Sequence, residues 1–160
     1  MKILLLFLLS LLIMGSFCKA KTQALKVNGC DHDAETFRCV KYVRNYDGDT
    51  VTFDIPGVHP LIGKNISVRI FGIDTPEIRT KDACELKAAE KAKAFVAERL
   101  TKARTITIKD LSRDKYFRIL GDVEVDGVIL SEELLKARLA YPYFGGTKVP
   151  QDWCNLPSFP

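Results

Sequence analysis

Apolar and polar residues alternate along several short stretches of the chain, as they do in β-strands that bury one face. The alternation is cleanest from Val51 to Ile55, where valine, phenylalanine and isoleucine share one face while threonine and aspartate share the other. An Asp-Gly turn signal stands just before this stretch. The same kind of pattern predicts five strands, at about 37–44, 51–55, 65–73, 104–111 and 117–125.

A helical pattern interrupts the strands twice. From about Asp82 to Lys102 the apolar residues recur at helical spacing in a segment rich in alanine, glutamate, lysine and leucine. A shorter helix is predicted from Ser131 through Leu139. Five short strands, with a long helix after the third and a second helix after the fifth, predict an α+β fold that is mainly β. We expect a five-stranded barrel of the OB type.

The N-terminus has the pattern of an export signal. An apolar run follows Met1 and Lys2, and Cys18-Lys19-Ala20 places small residues at the −3 and −1 positions of a cleavage site. Residues 1–20 are therefore predicted to be a signal peptide, and the protein to be secreted, either periplasmic or extracellular. An uncleaved N-terminal anchor is the alternative. The remainder divides into an extension at 21–36, one domain at 37–145 and a C-terminal tail at 146–160.

Four cysteines remain after the predicted cleavage, namely Cys30, Cys39, Cys84 and Cys154. An even number in an exported chain predicts disulfides, and three pairings are possible. We favour Cys30 with Cys39, which closes a short loop, and Cys84 with Cys154, which ties the proline-rich tail to the domain. A zinc site is the other interpretation of four cysteines, but the chain has no C-x-x-C pair.

The charge balance permits a nucleic-acid partner without requiring one. The whole chain has a formal net charge of +4, and removing residues 1–20 takes away two lysines and no acidic residue, which leaves +2. No long run of lysine or arginine is present. Any binding of nucleic acid must therefore be local.

Charges of both signs meet at the end of the third predicted strand. Arg69 stands in a β-branched run that ends at Asp74, and Pro76 forces the backbone out before Glu77. Carboxylate oxygens suit a hard cation, and a guanidinium suits an anionic substrate. A solvated ion pair is the alternative. Asp49 has the parity of the apolar residues that follow it, so its carboxylate either faces inward, where it needs a cation, or caps the turn.

Four motifs follow one another along the chain: Asp47-Gly-Asp49-Thr50, Val68-Arg69 leading into Asp74-Thr75-Pro76-Glu77, Asp114-Lys115-Tyr116-Phe117-Arg118, and Tyr141 with Tyr143. In order and spacing they resemble the staphylococcal nuclease family, over about residues 37–145. The resemblance implies an OB-fold barrel with helices. It also implies a calcium-dependent phosphodiesterase that acts on DNA and RNA and typically leaves 3′-phosphate ends.

The resemblance further implies individual roles. Asp49 and Asp74 would be carboxylate ligands of Ca²⁺, with the main-chain carbonyl of Thr75 as a third ligand, and Asp47 would support the metal site. Glu77 would orient or deprotonate the attacking water. Two guanidiniums, Arg69 and Arg118, would grip the scissile phosphate, where charge develops on the non-bridging oxygens. Lys115 and Tyr116 would contact a neighbouring phosphate, and either Tyr141 or Tyr143 would stack on a base.

Two departures from the family pattern stand out. Phe117 occupies a position where glycine usually precedes the second arginine, so it can reposition Arg118 or crowd the nucleotide. The chain also ends without a third C-terminal helix, and the Cys84–Cys154 disulfide could stabilise that end instead, by roughly 3–5 kcal/mol.

The sequence favours a monomeric nuclease without a stable protein partner, and two other kinds of protein are the alternatives. A nucleic-acid-binding module on the same barrel would have lost catalysis, yet the complete catalytic set is present. A disulfide-stapled structural protein of the envelope would leave the converging charges unexplained.

Overall fold

Strands make up most of the regular structure in the computed structural model, which describes residues 30–157. The predicted signal peptide and most of the predicted extension lie outside the described residues. The elements, in chain order, are β1 (Lys41–Asn45), β2 (Thr50–Asp54), α1 (Pro60–Gly63), β3 (Ile66–Ile70), β4 (Ile73–Asp74), α2 (Ala83–Lys102), β5 (Ile106–Arg113), β6 (Ile119–Val125), β7 (Val128–Ile129), α3 (Leu130–Lys136) and β8 (Tyr141–Pro142). The five predicted strands and both predicted helices are therefore confirmed.

The main sheet has the strand order β1-β2-β3-β6-β5, with β7 paired to β6. Its pairs are antiparallel except for the parallel pair β3–β6. The two outer strands are connected through the segment before β1, where Phe37 bridges Ile108 and the backbone N–H of Val40 donates to the carbonyl of Ile106 at 3.2 Å. Within the described residues the predicted barrel is thus joined at this edge by a short bridge and not by a continuous ladder.

The residues that the alternation in the sequence places on the inner face of the strands form the core. Val51 and Phe53 are fully buried, and Val68 and Ile70 of β3 meet them from the next strand. Helix α2 begins where Asp82 caps it by accepting hydrogen bonds from the next turn, and its buried residues lie on one stripe: Ala89, Ala92, Val96 and Leu100. Burying this stripe against the sheet fixes the position of the helix.

A second, small sheet is present that the sequence pattern does not reveal. Strands β4 and β8 pair antiparallel, with Ile73 opposite Pro142 and Asp74 opposite Tyr141. The third predicted strand runs to Ile73, but β3 ends at Ile70 and a turn at Gly72, with a positive φ of 79°, separates it from β4. Two-residue strands are too short to show a period, so the pairing of β4 with β8 was not predicted. Helix α3 also ends earlier than predicted, at Lys136, because Arg138 has a positive φ of 57° and leaves the helical conformation.

None of the helices in the described range is long and apolar enough to span a bilayer.

The disulfides join Cys30 to Cys39 and Cys84 to Cys154, as predicted. The second bond brings the C-terminal tail to the first turn of α2. Trp153 then packs on the ring of Tyr141 at a centroid distance of 5.2 Å, and Leu156 is buried. The tail consequently covers the β4–β8 sheet and packs as part of the domain.

We expect the Cys84–Cys154 bond to contribute more to stability than the Cys30–Cys39 bond. The two pairs are 70 and 9 residues apart in the sequence, and the loop-entropy estimate then gives about 4 and about 2.5 kcal/mol, respectively. Urea unfolding of C84S/C154S and C30S/C39S, each compared with the wild type, measures both values. The expectation fails if C84S/C154S is as stable as the wild type.

Candidate active site

An open cleft of about 840 Å³ lies at one end of the main sheet. It is bordered by the β1–β2 turn, the end of β3, the β5–β6 hairpin and the chain after β8. Eight of the residues singled out from the sequence line it: Asp47, Asp49, Arg69, Glu77, Lys115, Tyr116, Arg118 and Tyr143. The fold therefore brings segments from four parts of the chain to one place.

The turn before β2 directs Asp49 inward. The Oδ1 atom of Asp47 accepts hydrogen bonds from the backbone N–H groups of Asp49 and Thr50, at 3.1 and 2.7 Å. Asp47 therefore caps the turn, and the carboxylate of Asp49 does not have to. Gly48 is required here, because a Cβ atom would lie 2.8 Å from side-chain atoms of both Ala92 and Thr75. Burial raises the pKa of Asp47.

Asp49 is anchored on its inner side by Thr75. Its Oδ2 atom accepts hydrogen bonds from the backbone N–H and the hydroxyl of Thr75, both at 2.9 Å, and Oδ1 accepts one from the hydroxyl of Thr50 at 3.1 Å. These bonds fix the carboxylate in one orientation. Only 3% of the Asp49 side chain is exposed, so its charge needs a cation nearby.

Arg69 provides that cation by bridging two buried carboxylates. One terminal nitrogen contacts Oδ1 of Asp49, and the other lies 2.6 Å from Oδ1 of Asp74 and 3.1 Å from the carbonyl of Ile73. The guanidinium is largely buried, with 12% of the side chain exposed. Arg69 therefore contacts the two carboxylates that the family resemblance implies as metal ligands.

Tyr141 supports Asp74 from behind. Its hydroxyl donates to Oδ2 of Asp74 at 2.8 Å, while its ring packs on Trp153. Burial, together with the negative charge of Asp74, raises the pKa of Tyr141, so the hydroxyl stays protonated and can donate. Tyr141 is buried and does not line the cleft, so Tyr143 is the one of the two tyrosines that lines it.

The oxygen atoms at this site suit a calcium ion. Asp49 and Asp74 contact the same guanidinium, so their carboxylates are close enough to share one cation. Thr75, whose main-chain carbonyl is the third expected ligand, is the next residue after Asp74. Calcium takes roughly six to eight oxygen ligands, so water and a substrate phosphate would have to complete this set. In residues 30–157 no group of three or more His, Cys, Asp or Glu side chains is arranged to hold an ion. The donors fit calcium if Arg69 releases at least one carboxylate.

The β5–β6 hairpin presents Arg118. Oδ2 of Asp114 accepts from Nε of Arg118 at 2.7 Å, and Oδ1 accepts from the backbone N–H groups of Tyr116 and Arg118. Burial acts to raise the pKa of Asp114, but these hydrogen bonds outweigh it and hold the pKa below its usual value. The ring of Tyr116 lies under both Arg118 and Lys115, at 5.5 and 5.2 Å. The hairpin thus concentrates positive charge on this side of the cleft.

Phe117 adopts the left-handed backbone conformation that favours glycine, with φ at 62°, and its side chain is 78% exposed. The loop thus keeps the backbone that a glycine would take, and Arg118 remains in the cleft. The departure from the family pattern costs stability and leaves the loop conformation in place.

Replacing Phe117 by glycine is expected to raise the free energy of unfolding by about 1 kcal/mol, since a left-handed L-residue costs roughly 1–2 kcal/mol and the freer unfolded glycine offsets part of the gain. Thermal unfolding of Phe117→Gly measures the gain. Phe117→Ala is the control, because it removes the ring but keeps Cβ and should gain nothing. A stabilisation of equal size in both variants would mean that the backbone conformation is not the cause.

Glu77 also lines the cleft, and its side chain is 57% exposed. Its backbone N–H donates to Oε1 of Glu85 at 3.2 Å, and its own Oε1 lies 3.1 Å from Nζ of Lys148. Lys148 also lies 2.9 Å from Oδ1 of Asp74. Burial lowers the pKa of Lys148, but its contacts with Asp74 and Glu77 outweigh this and raise it.

Several residues of the cleft were missed from the sequence. Lys148 sits in the predicted tail, where no motif marks it. Aromatic side chains that are at least partly exposed also line the cleft, namely Tyr46, Phe71 and Phe144. The run Tyr141-Pro-Tyr-Phe144 could have signalled some of them, since exposed aromatics after a strand are typical of binding surfaces.

The fold and the cleft define an OB-type domain with paired carboxylates and basic side chains at one end of its sheet. A family model described as Staphylococcal nuclease homologue matches residues 67–152, and the chain belongs to that family.

Curated relatives agree with this assignment. Endonuclease YncB of Bacillus subtilis (strain 168) is 36% identical over 110 residues, which cover 66% of this chain and 49% of the relative. The SPbeta prophage-derived endonuclease YokF of the same organism is 36% identical over 111 residues, covering 66% and 35%. Probable staphylococcal-like nuclease CAN1 of Oryza sativa subsp. japonica is 26% identical over 91 residues, covering 57% and 25%. The chain thus spans about half the length of YncB and about a third of YokF.

Proposed function

We propose that the protein is a secreted, calcium-dependent nuclease that hydrolyses phosphodiester bonds in DNA and RNA and leaves 3′-phosphate ends. The observation that carries this proposal is the convergence of two buried carboxylates, Asp49 and Asp74, on one cation beside Glu77 and Arg118. A buried acidic pair is costly unless a cation completes it, and arginine and lysine side chains in the cleft beside such a pair suit a phosphate.

The basic and aromatic walls of the cleft bind the substrate. Lys115 and Arg118 attract the phosphates, and the planar guanidinium can engage two oxygens of one phosphate at once. Tyr116 contacts a neighbouring phosphate together with Lys115, and Tyr143 provides a flat surface for a base, which stacks without regard to sequence. This combination supports the proposal that both DNA and RNA are substrates.

Asp49, Asp74 and the carbonyl of Thr75 would hold the calcium ion. When bound, the ion supplies electrophilic stabilisation of the phosphate oxygens that gain charge. Arg69 would bind the same phosphate from the strand on which it is fixed. The hydrogen bonds from Thr75 to Asp49 and from Tyr141 to Asp74 keep both carboxylates in place.

Glu77 acts on the attacking water. Its carboxylate accepts a proton as the water oxygen forms a bond to phosphorus. The bond between phosphorus and the 5′-oxygen breaks, and that oxygen takes a proton from solvent. The products are a 3′-phosphate on one fragment and a 5′-hydroxyl on the other.

The two disulfides support secretion, because such bonds persist in oxidising compartments and are rare in the cytosol. Export of the full chain into the medium or periplasm, followed by N-terminal sequencing, tests the predicted cleavage after Ala20. A product that starts at Met1 would support the membrane anchor instead.

One assay tests the activity. The mature protein is incubated with single-stranded DNA, double-stranded DNA and RNA, with calcium and with a chelator, and the product ends are probed with a 3′-phosphatase. Cleavage only with calcium, to phosphatase-sensitive ends, is expected. Binding without cleavage under both conditions would favour a nucleic-acid-binding module.

A further inference from the structure

Lys148 enters the cleft from the C-terminal tail and contacts two carboxylates of the proposed active site. Its Nζ atom lies 2.9 Å from Oδ1 of Asp74 and 3.1 Å from Oε1 of Glu77. Asp74 is already fixed by Arg69 and Tyr141, and 4% of its side chain is exposed. An ammonium between a fixed and an exposed carboxylate draws the exposed one toward the fixed one.

The contact with Lys148 is what holds the carboxylate of Glu77 in its position. Within residues 30–157, the carboxylate of Glu77 accepts one hydrogen bond, from Nζ of Lys148. Its other bond, from its backbone N–H to Glu85, fixes the main chain and leaves the side chain free to rotate. Long exposed side chains lose considerable rotamer freedom when they are held in one position, so a partner is needed to hold Glu77 there.

The tail that carries Lys148 is anchored on both sides of it. We call residues 145–154 the C-terminal strap. At its start, Gly146 has a positive φ of 89° and its carbonyl accepts from the hydroxyl of Tyr143 at 2.8 Å. At its end, Trp153 packs on Tyr141 and Cys154 is bonded to Cys84.

The disulfide also ties the strap to the segment that holds Glu77. Cys84 is next to Glu85, whose Oε1 accepts from the backbone N–H of Glu77 and whose Oε2 accepts from the hydroxyl of Thr80 at 2.6 Å. The strap and the Glu77 loop are thus fastened to the same first turn of α2. Opening the disulfide would release one end of the strap and with it the position of Lys148.

We propose that Lys148 is a positioning residue of the nuclease: held by the disulfide-anchored strap, it fixes the Glu77 carboxylate beside Asp74 so that Glu77 can act on the attacking water. The inference rests on the proposed function. It adds that activity depends on the Cys84–Cys154 bond through Lys148 as well as through stability.

Steady-state kinetics on a DNA substrate at saturating calcium tests the role of Lys148. Lys148→Met keeps the apolar stem and removes the charge, and kcat is expected to fall by about 10- to 100-fold, as for partners that orient active-site carboxylates, with KM nearly unchanged. Lys148→Arg keeps a cation that can bridge both carboxylates and should restore most of kcat. Lys102→Met is the matched control, because Lys102 forms an exposed pair with Glu98 away from the cleft and should behave as wild type.

Two double-mutant cycles test how Lys148 acts. In a Glu77→Gln background, Lys148→Met should lower kcat little further, because the residue that Lys148 positions is already disabled. In a C84S/C154S background Lys148→Met should also lower kcat only slightly. In a C30S/C39S background it should lower kcat as much as it does in wild type. All variants are assayed well below their measured melting temperatures, so that the folded fraction stays the same.

The outcomes separate the two proposals. If wild type cleaves with calcium but Lys148→Met is as active or more active, the positioning role is wrong and the nuclease assignment stands. Full additivity in the Glu77 cycle, or failure of Lys148→Arg to restore activity, also overturns the role. If wild type itself cleaves no substrate with calcium, both the proposed function and this inference fall.

Discussion

Replacing Arg69 by methionine is expected to lower the free energy of unfolding by about 3 kcal/mol when a chelator is present, because the change leaves buried carboxylates without their shared cation. The Asp49 and Asp74 side chains are only 3% and 4% exposed, so water cannot take over the role of the guanidinium. Asp74 keeps Lys148 and Tyr141 as partners. The loss therefore falls at the low end of the roughly 3–5 kcal/mol typical of a broken buried pair.

Calcium should restore much of this loss. An ion that binds only the folded protein stabilises it by mass action, and in Arg69→Met the ion has no guanidinium to displace. The calcium-induced rise in melting temperature should accordingly be larger in the variant than in wild type. Differential scanning calorimetry with calcium and with chelator measures this without relying on activity.

Arg99→Met is the matched control. Arg99 pairs with Glu133 at 2.8 Å, but both side chains are partly exposed and the pair lies between helices α2 and α3. Its loss should cost less than about 1 kcal/mol and should not respond to calcium. Equal costs in the two variants, or no added calcium response in Arg69→Met, would argue against a shared cation site at Asp49 and Asp74.

The parts of the fold that the sequence predicts are those with a repeating local signal. The alternation from Val51 to Ile55 identifies β2 but leaves two directions open for Asp49, and the apolar stripe identifies α2 to within a residue of its observed start. The Cys30–Cys39 pair is also local, since it closes a short loop, and with four cysteines it leaves Cys84 and Cys154 as the second pair. For the strand, the helix and the short disulfide loop, neighbouring residues carry the signal.

The parts that escape prediction depend on contacts between distant segments. The β4–β8 sheet contains two residues per strand, so its pairing is set by packing around Tyr141 and Trp153 and leaves no periodic trace. Lys148 meets Glu77 because the tail, bonded through Cys154 to Cys84 and packed on Tyr141, returns to α2. The conformation of Arg69 also depends on distant residues, because a long side chain takes the position that the charges around it favour. The alternation of the strand shows only that Arg69 lies on the face opposite the apolar residues.

These distant contacts also explain the arrangement of charge in the cleft. The buried acids Asp49 and Asp74 are fixed by hydrogen bonds from Thr75 and Tyr141, whereas Arg69, which bridges them, carries its guanidinium on a long side chain that can change rotamer. A fixed acidic pair with such a partner could exchange the guanidinium for a metal ion without rebuilding the backbone. The same exchange would free Arg69 for an incoming phosphate.

Glu77→Gln is expected to lower kcat by about 100- to 10,000-fold, because the amide keeps the shape of the side chain but cannot accept the proton of the attacking water. Stability should change by less than about 0.5 kcal/mol, since the side chain is 57% exposed and is bonded only at its tip. Rates of oligonucleotide cleavage at saturating calcium, together with thermal unfolding, measure the two effects separately.

The control for this change is Glu90→Gln, which removes the same charge from an exposed position on α2 away from the cleft. It should leave both kcat and stability at the wild-type level. A Glu77→Gln protein that keeps full activity would assign proton acceptance to another group or to the solvent. A loss confined to KM would instead make Glu77 a binding residue, because a proton acceptor contributes only as the new bond to phosphorus forms.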